Sequence, residues 1–297
     1  MFQGYYQLQG LFESEDEWDV FMESLRRPLP VTFRVNRGLH SEELVEHCLA
    51  RAQHILEPAD RDLPFERGAR VARPQRLEWC DGVQLGVDRM VLKTGRSQYV
   101  KDLRRWLMLW GTLPSHTGAT TSAGVITRQE VASMVPAALL NVQHHHAVLD
   151  LCAAPGSKTL QVLEGLYSSW RHEQGNSAHA SAPPAAQGPS GVIVANDLSA
   201  KRAYGLAARA KPVGSPTASL MVICHHAQII PAALPPSSSS KTAGGGVRGG
   251  ADGRRGAGDR GEEVPACLPG LGEGIYDRIL CDVPCSGDGT LRKDLKV

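Results

Sequence analysis

Long apolar runs are absent from this chain of 297 residues. None approaches the roughly 20 residues that a membrane-spanning helix needs. The first residues also lack the basic and apolar segments of a secretory signal peptide. We therefore expect no membrane partner and a location in the nucleus or the cytoplasm.

Paired cysteines and metal-ligand spacings are missing as well. Seven cysteines occur without a CxxC pair or a regular framework, which favours a reducing compartment over a secreted disulfide scaffold. Three consecutive histidines, His144–His146, have no second ligand cluster at a recognisable spacing. We interpret them as a polar turn and predict no metal site.

A strong net charge is the third absence, since the formal value is only +1. Residues 26–110 nevertheless contain 16 Lys and Arg against 11 Asp and Glu. This surplus predicts either a local basic patch for nucleic acid or ordinary solvated arginines.

Two low-complexity segments interrupt the chain. Residues 168–190 are rich in Ser, Ala, Pro and Gln, and residues 232–268 are rich in Gly, Ser and Arg. Neither has enough apolar surface to offset the entropy of ordering it, so both are predicted to be disordered insertions. The second one either contacts RNA or is a surface loop expansion.

The region 1–120 is predicted to form a small α/β domain of the RNA-binding type. Ser14 and Glu17 have the spacing of a capping box before a helix. Apolar and polar residues alternate over 31–35, which predicts a strand, and 42–52 reads as a helix. Residues 111–124 are expected to form a linker or hairpin.

Strands and helices alternate regularly over 125–297. A second capping box, Thr127 and Glu130, predicts a helix that continues to Leu140. Short apolar strands and intervening helices predict a parallel, doubly wound sheet of the Rossmann type. The predicted strands are 147–151, 192–195, 219–223 and 278–281.

Three motifs lie where these strands end. Asp150 to Thr159 joins a strand to a helix through a turn of small residues, where a backbone can approach a ligand closely. It is not a triphosphate-binding loop, because Leu151 stands where that motif needs glycine. Asp197 suits either the hydroxyls of an adenosine ribose or a helix cap. Asp282 precedes Pro284-Cys285 at the end of the last strand.

These motifs together resemble the Sun-type RNA cytosine-5 methyltransferases, and among them the eukaryotic branch that modifies transfer RNA. The resemblance is strong over 125–297 and extends weakly to the N-terminal region. It is carried by ITRQE at 126–130, LDLCAAPGSKT at 149–159, AND at 195–197, ILCDVPCSGDGT at 279–290 and, more weakly, LRRPLPVTFRVNR at 25–37.

The resemblance implies S-adenosylmethionine as cofactor and RNA, chiefly transfer RNA, as substrate. It implies catalytic roles for Asp282, at the shared pocket of cofactor and base, and for Cys285, in releasing the methylated product. The residues expected to bind the cofactor are Cys152, Ala153, Ala154, Pro155, Gly156, Ser157, Lys158, Asp197, His226 and Asp282.

The chain departs from the family pattern in two places. His226 occupies the place of an acid that follows the third strand in the family. The family's attacking thiol belongs to a later Thr-Cys motif, and these residues contain no Thr-Cys pair. We therefore expect an incomplete sheet, with an open apolar edge at 278–281, and a fragment that is inactive alone.

Two other functions remain open at this point. One is a non-catalytic RNA-binding relative that keeps the cofactor fold. The other is a methyltransferase of small molecules or proteins, which suits the cofactor turn but does not account for Pro284-Cys285.

Overall fold

The computed structural model describes residues 2–66, 68–111, 123–176, 188–230, 275–287 and 292. Most of the predicted linker at 111–124 and all of the predicted insertion at 232–268 lie outside these ranges. In the described part, no helix combines the length and apolarity required to cross a bilayer.

Within the described residues, the N-terminal half contains six short or medium helices and six strands, which begin and end as follows in chain order. They are α1 Phe2–Leu8, α2 Glu15–Arg26, β1 Pro30–Val35, α3 Glu42–Ala50, α4 Gln53–Leu56, β2 Phe65–Glu66, β3 Ala69–Arg70, β4 Gln75–Leu77, β5 Gly82–Asp88, α5 Arg89–Thr94, α6 Gln98–Trp110 and β6 Ile126–Arg128.

Four of these strands form an antiparallel sheet in the order β4-β5-β1-β6. Helix α6 covers it with an apolar face, and Phe33 of β1 contacts the ring of Trp106 edge-on. Helix α2 begins as predicted, because the Ser14 side chain accepts a hydrogen bond from the Glu17 amide. This half is therefore the small α/β unit that the sequence predicts.

The predicted capping box at Thr127 is wrong. Thr127 is fully buried within β6, and its hydroxyl accepts a hydrogen bond from the Asn36 side chain at 2.9 Å. The helix that follows, α7 (Val131–Leu139), has Glu130 at its N-cap without a side-chain cap bond. Pairing with β1 keeps residues 126–128 extended, so β6 belongs to the first sheet.

The C-terminal half is a parallel sheet with helices in its connections. Its elements are β7 Ala147–Asp150, α8 Ser157–Asn176, β8 Val192–Asn196, α9 Ala200–Ala210, β9 Leu220–Ile223 and β10 Arg278–Leu280. The strand order is β10-β7-β8-β9, with every pairing parallel. The predicted Rossmann-type architecture is confirmed. Within the described residues β10 pairs with β7 alone, and Ile279 is 51% exposed.

The prediction of a disordered insertion at 168–190 is wrong for its first residues. Helix α8 continues to Asn176, so residues 168–176 are helical rather than disordered. Trp170 packs against the core cluster of the parallel sheet, which accounts for the continued helix. The partial burial of one large aromatic ring favours the helix despite the polar composition around it.

Polar side-chain contacts join the two halves. Arg34 of β1 and Glu164 of α8 form an ion pair with both side chains almost inaccessible. The Gln129 amide donates to the Gln161 side chain at 2.7 Å, and Arg171 donates to the Arg37 carbonyl at 2.9 Å. Because these contacts are specific in direction, they fix how α8 lies against the first sheet.

Candidate active site

The turn between β7 and α8 is built from small residues for a steric reason. Gly156 has φ +96°, a conformation that L side chains rarely adopt. A Cβ at this position would lie 3.0 Å from Cγ of Leu206 on α9. Ala153 and Ala154 are also buried. The backbone of residues 152–158 is therefore held close to α9, at the N-terminus of a 20-residue helix.

Asp150 begins the first motif and lies directly before this turn. Its Oδ2 accepts a hydrogen bond from the Thr159 hydroxyl at 2.7 Å, whereas its buried Oδ1 has no partner among the described residues. Burial raises the pKa of Asp150 to about 6, and the nearby Asp282 carboxylate adds to the shift. In the sequence, the only sign of a role for Asp150 is its position as an acid at the end of an apolar strand.

Asp197 contacts the same turn from the next strand. Its Oδ2 accepts from the Ala154 amide at 3.2 Å, and its Oδ1 accepts from the Ser199 amide at 3.0 Å. Ser199 itself caps α9. The sequence suggested either a helix cap or a ligand of the adenosine ribose for Asp197. The side chain supports the start of α9 and also lies beside the predicted cofactor turn.

Asn196 ties three strand ends together. Its amide nitrogen donates to the Leu151 carbonyl at 3.0 Å and to the His225 carbonyl at 2.9 Å. Its Oδ1 accepts from the His225 amide at 2.9 Å. These bonds hold the segment after β9, so that the exposed His226 follows the same edge of the sheet as Asp197.

The last motif meets the first where the neighbouring strands β10 and β7 end. The Lys158 ammonium lies 2.7 Å from Asp282 Oδ2, although the two residues are far apart in the chain. Cys285, three residues further on, is exposed. Burial raises the pKa of the half-buried Cys152 thiol, and Asp197 and Asp150 raise it further. The structure therefore brings Lys158, Asp282 and the turn together at one edge.

The chain is similar to characterised proteins over almost its whole length, although no family model matches it. The multisite-specific tRNA:(cytosine-C(5))-methyltransferase trm4b of Schizosaccharomyces pombe is 34% identical, over 100% of this chain and 38% of the relative. The multisite-specific tRNA:(cytosine-C(5))-methyltransferase of Saccharomyces cerevisiae is 33% identical, over 99% of this chain and 34% of the relative.

The crystal structure of PH0851 shares the fold, with a TM-score of 0.52 at 18% identity, over 97% of this chain and 42% of that chain. The chain belongs to the Sun-type RNA cytosine-5 methyltransferase family. It spans about a third of the length of the curated relatives that it matches.

Two arginines of α9 support the turn in this Sun-type chain. Arg202 donates to the Ala154 carbonyl at 2.6 Å and lies 3.4 Å from Asp197 Oδ2. Arg209, which is 9% exposed, donates to the Pro155 carbonyl at 3.2 Å. Because both side chains donate to backbone carbonyls of the turn, they position it. Sequence reasoning missed them because the helix pattern alone does not reveal their partners.

A cleft between the two halves, which we call the interdomain cleft, opens onto this edge of the parallel sheet. The cavity has a volume of about 530 Å³. The first half contributes Thr32, Arg128 and Gln129 to its wall, and the second contributes Lys158 and Asp282. A substrate in this cleft would therefore contact both halves of the Sun-type chain.

Proposed function

We propose that this chain carries the cofactor-binding part of an RNA cytosine-5 methyltransferase that acts on transfer RNA in the nucleus or the cytoplasm. The observation that carries the proposal is the meeting of the 152–158 turn with Asp282 at the mouth of the interdomain cleft. The names of the relatives, which are transfer RNA cytosine-C5 methyltransferases, support the substrate class.

The residues of the turn fit S-adenosylmethionine. The amides at the N-terminus of α8 favour the carboxylate of the cofactor. The buried Asp150 Oδ1 has no hydrogen-bond donor among the described residues, and the cationic amino group of the cofactor would supply one. We assign the ribose hydroxyls to Asp197, and we place His226 beside the adenine in the role of a neutral hydrogen-bonding group. The turn residues assigned to the cofactor are Cys152, Ala153, Ala154, Pro155, Gly156, Ser157 and Lys158.

When bound, the cofactor supplies an electrophilic methyl group. Carbon 5 of cytosine becomes nucleophilic only after a thiolate has added to carbon 6. Asp282, oriented by Lys158, holds the pyrimidine edge, and Cys285 assists the release of the methylated product. The attacking thiol is a cysteine outside these residues, so the 297-residue chain alone binds cofactor without completing turnover. RNA in a paired region must present its base flipped out.

The test compares three proteins in transfer of labelled methyl from S-adenosylmethionine to unmodified transfer RNA. They are this chain, a chimera that adds the following segment of the Schizosaccharomyces pombe relative, and the chimera with Asp282→Asn. We expect cofactor binding by all three and methyl transfer by the unsubstituted chimera alone. Asp62→Asn in the chimera is the matched control, because this exposed acid is not among the residues that line the cleft.

Three results would contradict the proposal. Transfer by the chain alone would make Cys285 the candidate nucleophile. Undiminished transfer by the Asp282→Asn chimera would remove the role given to Asp282. Cofactor and RNA binding without transfer in every protein would favour the non-catalytic RNA-binding relative.

A further inference from the structure

Three arginines from separate elements line the interdomain cleft. Arg89 begins α5, Arg128 ends β6 and Arg209 lies in the last turn of α9. All three contribute to the wall of the 530 Å³ cavity that also contains Lys158 and Asp282. The fold therefore gathers cations from both halves into one concave surface.

These cations are close enough to disturb one another. Burial lowers the pKa of Arg128, and the charge of Arg89 lowers it further. Burial likewise lowers the pKa of Arg209, and Arg128 adds to that shift. Like charges in a partly desolvated wall are unfavourable unless an anion offsets them.

Among the residues that the structure describes, the wall of the cavity also contains two acids, Glu130 and Asp282. No carboxylate among those residues lies within 4.0 Å of a guanidinium nitrogen of Arg89 or Arg128. The nearby Asp282 is already 2.7 Å from Lys158. Arg209 has a structural contact with the Pro155 carbonyl. Arg89 and Arg128 are therefore the two arginines of the cleft most available to an anionic ligand.

We propose that Arg89 and Arg128, together with Arg209, bind a backbone phosphodiester of the RNA strand next to the nucleotide that reaches Asp282. Guanidinium groups suit this ligand because their planar donors match phosphate oxygens in pairs. The cleft places this charge beside the proposed base site, so that one bound strand occupies both. The inference rests on the proposed function for the nature of the strand.

The experiment measures the binding of a fluorescent unmodified transfer RNA by the 297-residue chain at several salt concentrations. Each phosphate contact contributes a slope of roughly 0.7 to 0.9 to the fall of log affinity with log salt. Arg89→Gln and Arg128→Gln are each expected to reduce that slope by about this amount and to weaken binding several-fold at low salt. Arg61→Gln is the matched control, since this exposed residue does not line the cleft.

The Arg128→Lys variant distinguishes an effect of the lost positive charge from an effect of impaired folding. This variant keeps the positive charge, so it is expected to retain the salt slope while losing part of the affinity. Replacing chloride by inorganic phosphate at equal ionic strength distinguishes the source of the phosphate. Displacement of the RNA by free phosphate beyond the ionic-strength effect would overturn an RNA-strand site.

Wild-type slopes in both glutamine variants, or no RNA binding by the unsubstituted chain, would also overturn the inference. Cofactor binding, measured by calorimetry on the same samples, is expected to persist in the variants. An altered slope in a chain that binds no cofactor would leave the arginine site standing and reject the methyltransferase proposal. Cofactor binding together with wild-type slopes in both glutamine variants would reject the arginine site alone.

Discussion

Gly156 offers a direct test of how the cofactor turn is held. In Gly156→Ala the new Cβ enters a backbone conformation at φ +96° and lies 3.0 Å from the buried Leu206 side chain. Forcing a non-glycine residue into such a conformation costs about 1–3 kcal/mol. Leu206 must also shift, since contacts this short are rare. We therefore expect a loss of about 1–3 kcal/mol in the free energy of unfolding.

Gly205→Ala is the matched control within the supporting helix. Gly205 lies in the interior of α9, and a Cβ there meets nothing within 4 Å. Alanine is favoured over glycine in a helix interior by about 0.5–1 kcal/mol, so this variant is expected to gain stability.

Urea unfolding followed by circular dichroism measures both changes as shifts of the midpoint at constant slope. Cofactor affinity, measured by calorimetry, should fall in Gly156→Ala and stay unchanged in Gly205→Ala. If Gly156→Ala unfolds at the wild-type midpoint or above it, the steric account of the turn is refuted.

Three further predictions concern charged side chains. Glu164→Ala leaves Arg34 buried without its partner and should cost about 3–5 kcal/mol, whereas Arg34→Met combined with Glu164→Leu should cost far less in the same urea assay. The raised pKa of Asp150, about 6, means that its contribution to stability is present below its unfolded pKa and is lost as pH rises through 6. The unfolding free energy of the wild type relative to Asp150→Asn should therefore fall between about pH 4 and pH 7, and a flat difference would contradict this. Arg202→Gln removes a bond to the Ala154 carbonyl and should weaken cofactor binding about tenfold with little change in stability; unchanged calorimetric affinity would show that the turn does not need it.

Features that depend on neighbouring residues are readable from the amino-acid sequence. Alternation and capping predicted β1, α2 and the strands of the parallel sheet, because side-chain periodicity and the Ser14 cap act within a few positions. The Asp150–Thr159 and Asp282–Cys285 motifs also marked their own strand ends. A parallel sheet then required those ends to share one edge.

Contacts between distant residues follow from the packing of the folded chain. Thr127 has the spacing of a helix cap, yet pairing with β1 buries it in a strand. Trp170 continues α8 into a polar segment because the sheet offers its ring a buried surface. The Lys158–Asp282 pair and the arginine-lined cleft join segments far apart in the chain. Local patterns carry no record of such contacts, since each depends on how whole elements pack.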